Sequence, residues 1–212
     1  KLAFVGNEGG ASDIYSYDLI SKVLNNLTND VYSDTEPSWS PDGSRIVFVS
    51  DRGKNVDNQN ISVKEMISHN YKQKNIYTID IDTKNIVQIT DTEYNENYPI
   101  FSNTKNMLLY TADYQGTWNL FHHDLDSGES KVVTNLLTGL FQLSLTKDDG
   151  SLVFSGYSGL GWDVYRLNNP LNLDEVSVEP TNYIANRKKN DEEELADLRK
   201  HKRKGTQAMT TD

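Results

Sequence analysis

The stretch that decides the fold runs from Glu36 to Arg52 and reads EPSWSPDGSRIVFVSDR. Two short apolar segments, one around Trp39 and one around Phe48, flank the tripeptide Pro41-Asp42-Gly43. Proline presets φ and glycine accepts a positive φ, so this tripeptide predicts a tight turn. The stretch is therefore predicted to be a β-hairpin, and its recurrence along the chain indicates the kind of sheet to which it belongs.

The second strand of this hairpin recurs at regular spacing. Four apolar runs carry an aromatic residue at the same place, with separations of 44, 62 and 44 residues, and 62 is 44 plus an insertion of 18. These aromatic residues are Phe4, Phe48, Tyr110 and Phe154. A second β-rich run follows each of them, at Ile14–Tyr17, Ile76–Ile79, Leu120–His123 and Val164–Leu167. The spacing predicts four copies of one unit, with the insertion between Asp51 and Asn75.

An aspartate and a threonine ten residues apart complete each of the first three copies. The pairs are Asp18 and Thr28, Asp80 and Thr90, and Asp124 and Thr134. Turn residues and then a short apolar run separate the two members, which predicts a further strand. Each unit then holds four short strands, A to D, the pattern of a propeller blade. The predicted fold class is all-β: a partial β-propeller of about four four-stranded antiparallel blades, followed by a charged helical or disordered tail.

The residues Glu36 to Arg52, followed by Asn75-Ile76-Tyr77-Thr78-Ile79-Asp80, resemble the WD40-like repeat of TolB-type propellers. The resemblance covers roughly residues 1–171 and departs from Pro-Asp-Gly at Asn103-Thr104-Lys105 and Lys147-Asp148-Asp149-Gly150. It implies a six- to eight-bladed propeller in bacterial envelope proteins, or beside peptidase domains, and a periplasmic or cell-envelope location. It implies no particular ligand, because the repeat motif is structural.

The repeat also predicts the organisation of the chain. We expect a partial propeller over residues 1–171, with blades at approximately 1–35, 36–97, 98–140 and 141–171. An exit linker is predicted at 172–182, a charged helix or linker at 183–204 and a disordered tail at 205–212. The first copy lacks strand A and the last lacks strand D, so we expect a C-terminal fragment of a larger protein. An open arc of this kind exposes strand edges.

Composition excludes several classes of function. The formal net charge is −10, of which residues 183–212 carry +2 (eight Lys/Arg minus six Asp/Glu) and the remainder −12 (13 minus 25). An acidic body argues against nucleic acid as a partner. Because no run of 18 apolar residues occurs, no direct membrane span by a helix is expected. The absence of cysteine rules out disulfides, thiol catalysis and Cys-type zinc sites.

A binding site is predicted on one face of the disc. In a blade, the D–A connections and the B–C loops emerge on the same face, which we call the loop face. Aromatic and charged side chains there suit contact with a protein partner, or with a small sugar or peptide. The predicted partner-binding residues are Asp51, Arg52, Tyr94, Glu96, Tyr98, Asp113, Tyr114, Trp118, Tyr157 and Trp162. The alternative is that Trp118 and Trp162 only begin strand C and pack between blades.

No catalytic, metal or cofactor site is predicted. His122 and His123 are adjacent on a strand, so they face opposite sides and cannot share one metal ion. Gly156-Tyr157-Ser158-Gly159 lacks the second glycine of a nucleophile elbow. Asp80-Ile81-Asp82 and Asp124-Leu125-Asp126 could suggest calcium, but they fall where a C–D turn belongs and aspartate caps turns.

The sequence thus favours a non-catalytic protein-binding scaffold of the bacterial cell envelope. Two alternatives remain open. One is a gating or substrate-presenting propeller of a larger peptidase or hydrolase. The other is a propeller module attached to an outer-membrane barrel.

Overall fold

A computed structural model describes residues 1–8, 10–57 and 66–191. Within these residues fourteen strands form four antiparallel sheets, which confirms the predicted all-β class and the partial propeller. Part of the predicted insertion (58–65) lies outside the described residues, as do residues 192–212, which include the predicted tail at 205–212 and most of the segment 183–204. None of the described helices has the length and apolar character needed to cross a bilayer.

The sheets follow one another along the chain as blades. The first blade holds β1 (Leu2–Glu8), β2 (Ala11–Tyr17) and β3 (Leu24–Asn26). The second holds β4 (Asp34–Trp39), β5 (Arg45–Ser50), β6 (Asn75–Asp80) and β7 (Ile86–Gln88). The third holds β8 (Glu96–Phe101), β9 (Met107–Ala112), β10 (Asn119–Asp124) and β11 (Ser130–Val132). The fourth holds β12 (Phe141–Leu145), β13 (Ser151–Ser158) and β14 (Gly161–Asn168).

Neighbouring strands in each sheet are also neighbours in sequence, so the order in the second and third blades is A-B-C-D. Among the described residues the first blade holds strands B, C and D, and the fourth holds A, B and C. Each C strand pairs with its B strand aromatic to aromatic, as in Phe48 opposite Tyr77. The equal register follows from the equal spacing of the repeats.

The apolar core lies between the blades because successive residues of a strand face opposite sides of its sheet. In β5, Ile46 and Phe48 belong to a cluster with Ile14 of the first blade. The intervening Val47 instead packs with Leu108 and Tyr110 of the third blade. Each four-stranded sheet therefore buries both faces, one against each neighbour.

Every A strand contains a bulge with one residue in the left-handed region. The register shifts between Thr35 and Ser38 in β4, and the equivalent shifts occur in β8 and β12. The left-handed residues are Glu36, Tyr98 and Gln142, with φ of 56°, 54° and 57°. Non-glycine residues adopt this conformation at a cost, and bulges re-aim side chains. The three bulges therefore give the inner strands a common geometry.

The turns use the aspartates of the repeat. Asp80 Oδ1 accepts the backbone N–H groups of Asp82 and Thr83 at 3.1 and 2.8 Å. Asp124 Oδ1 makes the same contacts with the turn that follows it. These carboxylates cap the C–D turns, as the turn interpretation predicts.

One turn that lacks Pro-Asp-Gly is capped from the neighbouring blade. Asp149 of the fourth blade accepts hydrogen bonds from the Asn103 and Thr104 backbone N–H groups at 2.9 and 2.8 Å and from the Ser102 hydroxyl at 2.8 Å. Burial alone would raise the pKa of Asp149, but these donors hold it at about 2. A departure from the repeat in the third copy is thus compensated by an aspartate in the fourth.

The segment predicted to be an exit linker at 172–182 packs against the third blade instead of leading away from it. The Val176 N–H donates to the Val132 carbonyl at 3.0 Å, and Val178 is buried beside Phe121. A helix begins at residue 182 and continues to 191, the last described residue. The two valines explain the docking, because burying their apolar side chains against the blade stabilises the contact.

Candidate partner-binding site

The loop face is assembled as predicted, from D–A connections that contact B–C loops. Asp51 Oδ1 accepts the Ser33 N–H at 2.9 Å, and Asp113 Oδ1 accepts the Asn95 N–H at 2.7 Å. In both cases a carboxylate that directly follows strand B caps the connection entering the same blade. The two aspartates therefore organise the face.

Arg52 is buried at the junction of the first two blades. Its Nη2 donates to both carboxylate oxygens of Asp34 at 2.8 and 2.7 Å, and its Nη1 lies 3.0 Å from Asp30 Oδ2. Its guanidinium carbon lies 5.4 Å from the ring centres of Tyr32 and Phe48. Such a desolvated cation requires paired carboxylates, which these aspartates supply.

The pKa values of Arg52 and Asp30 depend on burial and on the charges around them. Burial acts to lower the pKa of Arg52, but the charges of Asp34 and Asp30 outweigh it and leave that pKa raised. Burial raises the pKa of Asp30 to about 6, with Arg52 opposing the rise. Asp13 lies in the same acidic cluster and accepts hydrogen bonds from Asn26 and Thr28, so its oxygens are also engaged within the protein.

Glu96 begins the A strand of the third blade, as Asp34 begins that of the second, and it is fully buried. Its carboxylate accepts hydrogen bonds from the hydroxyls of Thr90 and Thr92, the latter at 3.1 Å. Burial raises the pKa of Glu96 to about 7. Thr90 also accepts the Ile76 N–H, so Glu96 fixes the D–A connection to strand C.

Three of the predicted partner contacts are therefore corrected. Arg52 and Glu96 are completely buried and Asp51 is 4% exposed, so none presents a side chain to a partner. Charge in a loop suggested a surface position, but each of these groups finds its hydrogen-bonding partners inside the protein. Asp113 is half-buried and has a similar internal role.

Tyr94 and Tyr114 pack together with Phe121 in the third blade, the two tyrosine rings 5.4 Å apart and edge-on. The C-terminal helix lies beside them, and a groove of about 740 Å³ separates it from the loop face. Gly116 allows this approach, since a Cβ there would clash with Thr181 Oγ1. The helix thus lies beside one half of the predicted face.

The other half carries an open aromatic patch, which we define as Tyr98, Trp118, Phe141, Tyr157 and Trp162. The Phe141 ring lies 5.3 Å from Trp162 and 6.2 Å from Trp118, and Tyr157 lies 5.7 Å from Trp162. Tyr98, Phe141 and Trp162 also line a cavity of about 370 Å³ with Gln142 and Ser155. Trp118 is half-buried at the blade junction, whereas Trp162 and Tyr157 are 62% and 42% exposed.

Four members of the aromatic patch are among the residues that the sequence predicts as partner contacts, and Phe141 is not among them. The feature that could have identified Phe141 is its position at the start of an A strand, directly before the bulge residue Gln142. The bulge residues also connect neighbouring blades, since Glu36 Oε2 accepts the Tyr98 N–H at 2.5 Å. A second cavity of about 320 Å³ is lined by Glu36, Tyr98 and Gln142. The aromatic patch is therefore continuous with the inner strands.

Comparison with known proteins agrees with this fold. No protein-family model matches the chain. It is 23% identical over 159 residues to the Tol-Pal system protein TolB of Francisella tularensis subsp. mediasiatica, covering 74% of this chain and 33% of that protein. The chain thus spans about a third of the length of the curated relatives it matches.

Solved structures show the same likeness. A putative TolB from Agrobacterium tumefaciens superposes with a TM-score of 0.62 at 18% identity, over 78% of this chain and 56% of that one. TolB from Acinetobacter baumannii gives 0.58 at 18% identity, over 84% and 40%. A puromycin hydrolase gives 0.51 at 13% identity, over 78% and 26%. The fold and the sequence repeat together define a β-propeller. Its fold is similar to that of the TolB propellers.

Proposed function

We propose that this chain is a non-catalytic, protein-binding β-propeller of the bacterial cell envelope, located in the periplasm, and that the aromatic patch contacts its partner. The observation that carries the proposal is Trp162, a large aromatic side chain that is 62% exposed beside a cavity of about 370 Å³. Tryptophan and tyrosine dominate the energetically important positions of protein interfaces.

The relatives and the charge support the location and the kind of partner. The curated relatives are named as proteins of the Tol-Pal system, which favours a protein of that system as the partner class. Excluding residues 183–212, the chain carries a formal charge of −12 (13 minus 25), which would speed the approach of a basic partner. The rings would then supply most of the affinity.

The test compares two single substitutions in the whole protein. Trp162→Ala is expected to weaken binding to a purified Tol-Pal partner at least tenfold by calorimetry, because truncating such an anchor typically costs about 2 kcal/mol or more. The control is Ile20→Ala, which removes an apolar side chain, 94% exposed, from a C–D turn of the first blade on the opposite face. Its affinity is expected to stay within about twofold. Equal losses in both variants would contradict the proposal.

A second candidate is a gating or substrate-presenting propeller of a larger hydrolase. The likeness to puromycin hydrolase, of which this chain covers 26%, favours it. A serine-reactive fluorophosphonate probe applied to the whole protein distinguishes the two candidates. Labelling outside these 212 residues would support the hydrolase, and no labelling is expected for the binding scaffold.

A further inference from the structure

Residues 174–191, which we call the cover, are fixed to the third blade at two places. The Val176 N–H donates to the Val132 carbonyl, next to the outer strand, at 3.0 Å. Further along the chain, the Thr181 N–H donates to the Gln115 carbonyl of the B–C loop at 2.9 Å. The cover therefore extends from the outer strand of this blade to its loop face.

The blade surface beneath the cover, formed by Gly116, Tyr114 and Val132, is called the seat. Gly116 has a φ of 89°, and a Cβ there would clash with Thr181 Oγ1 and with the side chain of Ile184. Glycine is the residue that permits both a positive φ and a close approach of another segment. The seat is thus shaped for the cover, which indicates a specific closed position.

The contact between cover and seat is loosely packed on both sides of Tyr114. This ring lines the groove of about 740 Å³ below the helix and also a cavity of about 430 Å³ that residues 175–178 enclose. Protein interiors contain few voids larger than a water molecule. Because the cover leaves two such spaces, it can separate from the seat at a smaller cost than a packed core element.

The helix of the cover carries the charge that is expected of the partner. Arg187 and Lys188 line the groove opposite Asp91, Glu93 and Asp113. A basic partner is favoured under the proposed function, because the blades are acidic. The helix therefore places its own cations where those of the partner would bind.

We propose that the cover is autoinhibitory: it occupies the half of the loop face that contains Tyr94 and Tyr114, and a basic protein partner displaces it on binding. This inference rests on the proposed function, since it names the regulation of the same face. The displaced cover leaves both tyrosines free to extend the contact that the aromatic patch makes. The affinity for the partner is then reduced by the fraction of molecules in which the cover is closed.

The first experiment opens the cover and leaves the seat intact. Val178 is 8% exposed beside Phe121, so Val178→Asp would bury an unpaired charge and should release the cover. A fluorescein-labelled peptide with the sequence of residues 174–191 should then bind about tenfold more tightly than to the parent by fluorescence anisotropy. Ile184→Asp, at the helical end, should act in the same direction. The matched control Ser177→Asp adds the same charge at an exposed position and should behave as the parent.

A second pair of variants tests the seat. Gly116→Ala, added to Val178→Asp, should weaken binding of the peptide about tenfold, because the new Cβ clashes with it. Gly128 of the same blade also has a positive φ, of 75°, but a Cβ there meets nothing within 4 Å. Gly128→Ala therefore controls for backbone strain and should retain binding. Equal losses in the two glycine variants would overturn the proposal, and so would equal binding of the peptide to the parent and to Val178→Asp.

The last experiment uses the purified Tol-Pal partner and calorimetry. Val178→Asp should bind it about threefold more tightly than the parent or Ser177→Asp. Hydrogen exchange at the Val176 and Thr181 amides of the parent should accelerate when the partner binds. If Trp162→Ala weakens binding but Val178→Asp leaves it unchanged, autoinhibition is wrong and the proposed function stands. If Val178→Asp tightens binding but Trp162→Ala has no effect, the aromatic patch is wrong and the cover still regulates the face.

Discussion

Asp34 and Glu96 occupy the same place in successive blades, yet their environments differ. Each is the first residue of an A strand and each is fully buried. Asp34 meets the guanidinium of Arg52, whereas Glu96 meets the hydroxyls of Thr90 and Thr92. The aspartate that follows strand B is succeeded by Arg52 in the second blade and by Tyr114 in the third. One backbone frame can therefore hold a buried carboxylate with a cation or with hydroxyl groups.

The largest expected effect comes from removing the cation. Arg52→Met should lower the free energy of unfolding by about 3 to 5 kcal/mol, because Asp34 and Asp30 are left buried without their cationic partner. Urea unfolding at pH 7 measures the loss. The double variant Arg52→Met with Asp34→Asn should recover part of it. No recovery would mean that packing against Tyr32 and Phe48, and not charge, dominates at this junction.

The second expected effect concerns pH. The pKa of Glu96 is raised from 4.5 to about 7 in the folded protein, so between these values the folded state holds a proton that the unfolded state has lost. Its contribution to stability is therefore complete below about pH 4.5 and is lost as the pH rises through 7. Glu96→Gln imitates the protonated form and should be more stable than the parent at pH 8 by about 2 to 3 kcal/mol.

Urea unfolding at pH 4 and pH 8 provides the measurement for Glu96. The difference between parent and Glu96→Gln should be near zero at pH 4 and grow towards pH 8. A difference that does not change with pH would contradict the assignment of a raised pKa to this carboxylate. Comparing the two proteins at each pH removes the contribution of Asp30, whose pKa is also raised.

A smaller loss of stability is expected when the hydroxyl of the repeat threonine is removed, and its size should differ between the second and third blades. Thr90→Ala removes a donor to a carboxylate, whereas Thr134→Ala removes a donor to the Asn119 amide oxygen. The first should cost about 2 kcal/mol at pH 8 and the second about 1 kcal/mol, since bonds to charged groups are stronger. Thr90→Ala should also raise the pKa of Glu96 further. Equal costs at pH 8 would indicate that Glu96 remains protonated there.

The smallest effect is expected at the surface. Lys54 and Asp91 form an ion pair of 3.3 Å with side chains 82% and 64% exposed. Lys54→Ala should change the free energy of unfolding by no more than about 0.5 kcal/mol, because exposed pairs are screened. A loss of unfolding free energy as large as that of Arg52→Met would contradict the expected difference between buried and exposed charges.

The residues at fixed spacing were the ones predicted well. The spacing of the four aromatic positions predicted the blades, and Asp80 and Asp124 predicted the C–D turns. Both features depend on contacts within one repeat. Side-chain exposure was predicted less well. Arg52, Asp51 and Glu96 are internal, since burial depends on the neighbouring blade. Phe141 was missed because its partners Trp118 and Trp162 come from different blades.

The sequence by itself determined the repeat, the strand order and the turn chemistry, all of which depend on residues close along the chain. Only the tertiary structure decided which carboxylates meet a cation, that Asp149 caps a turn of another blade, and that residues 176–178 cover the third blade. The physical reason is distance along the chain. Desolvation and pairing depend on groups brought together from different blades, and a spacing pattern within one repeat carries no information about them.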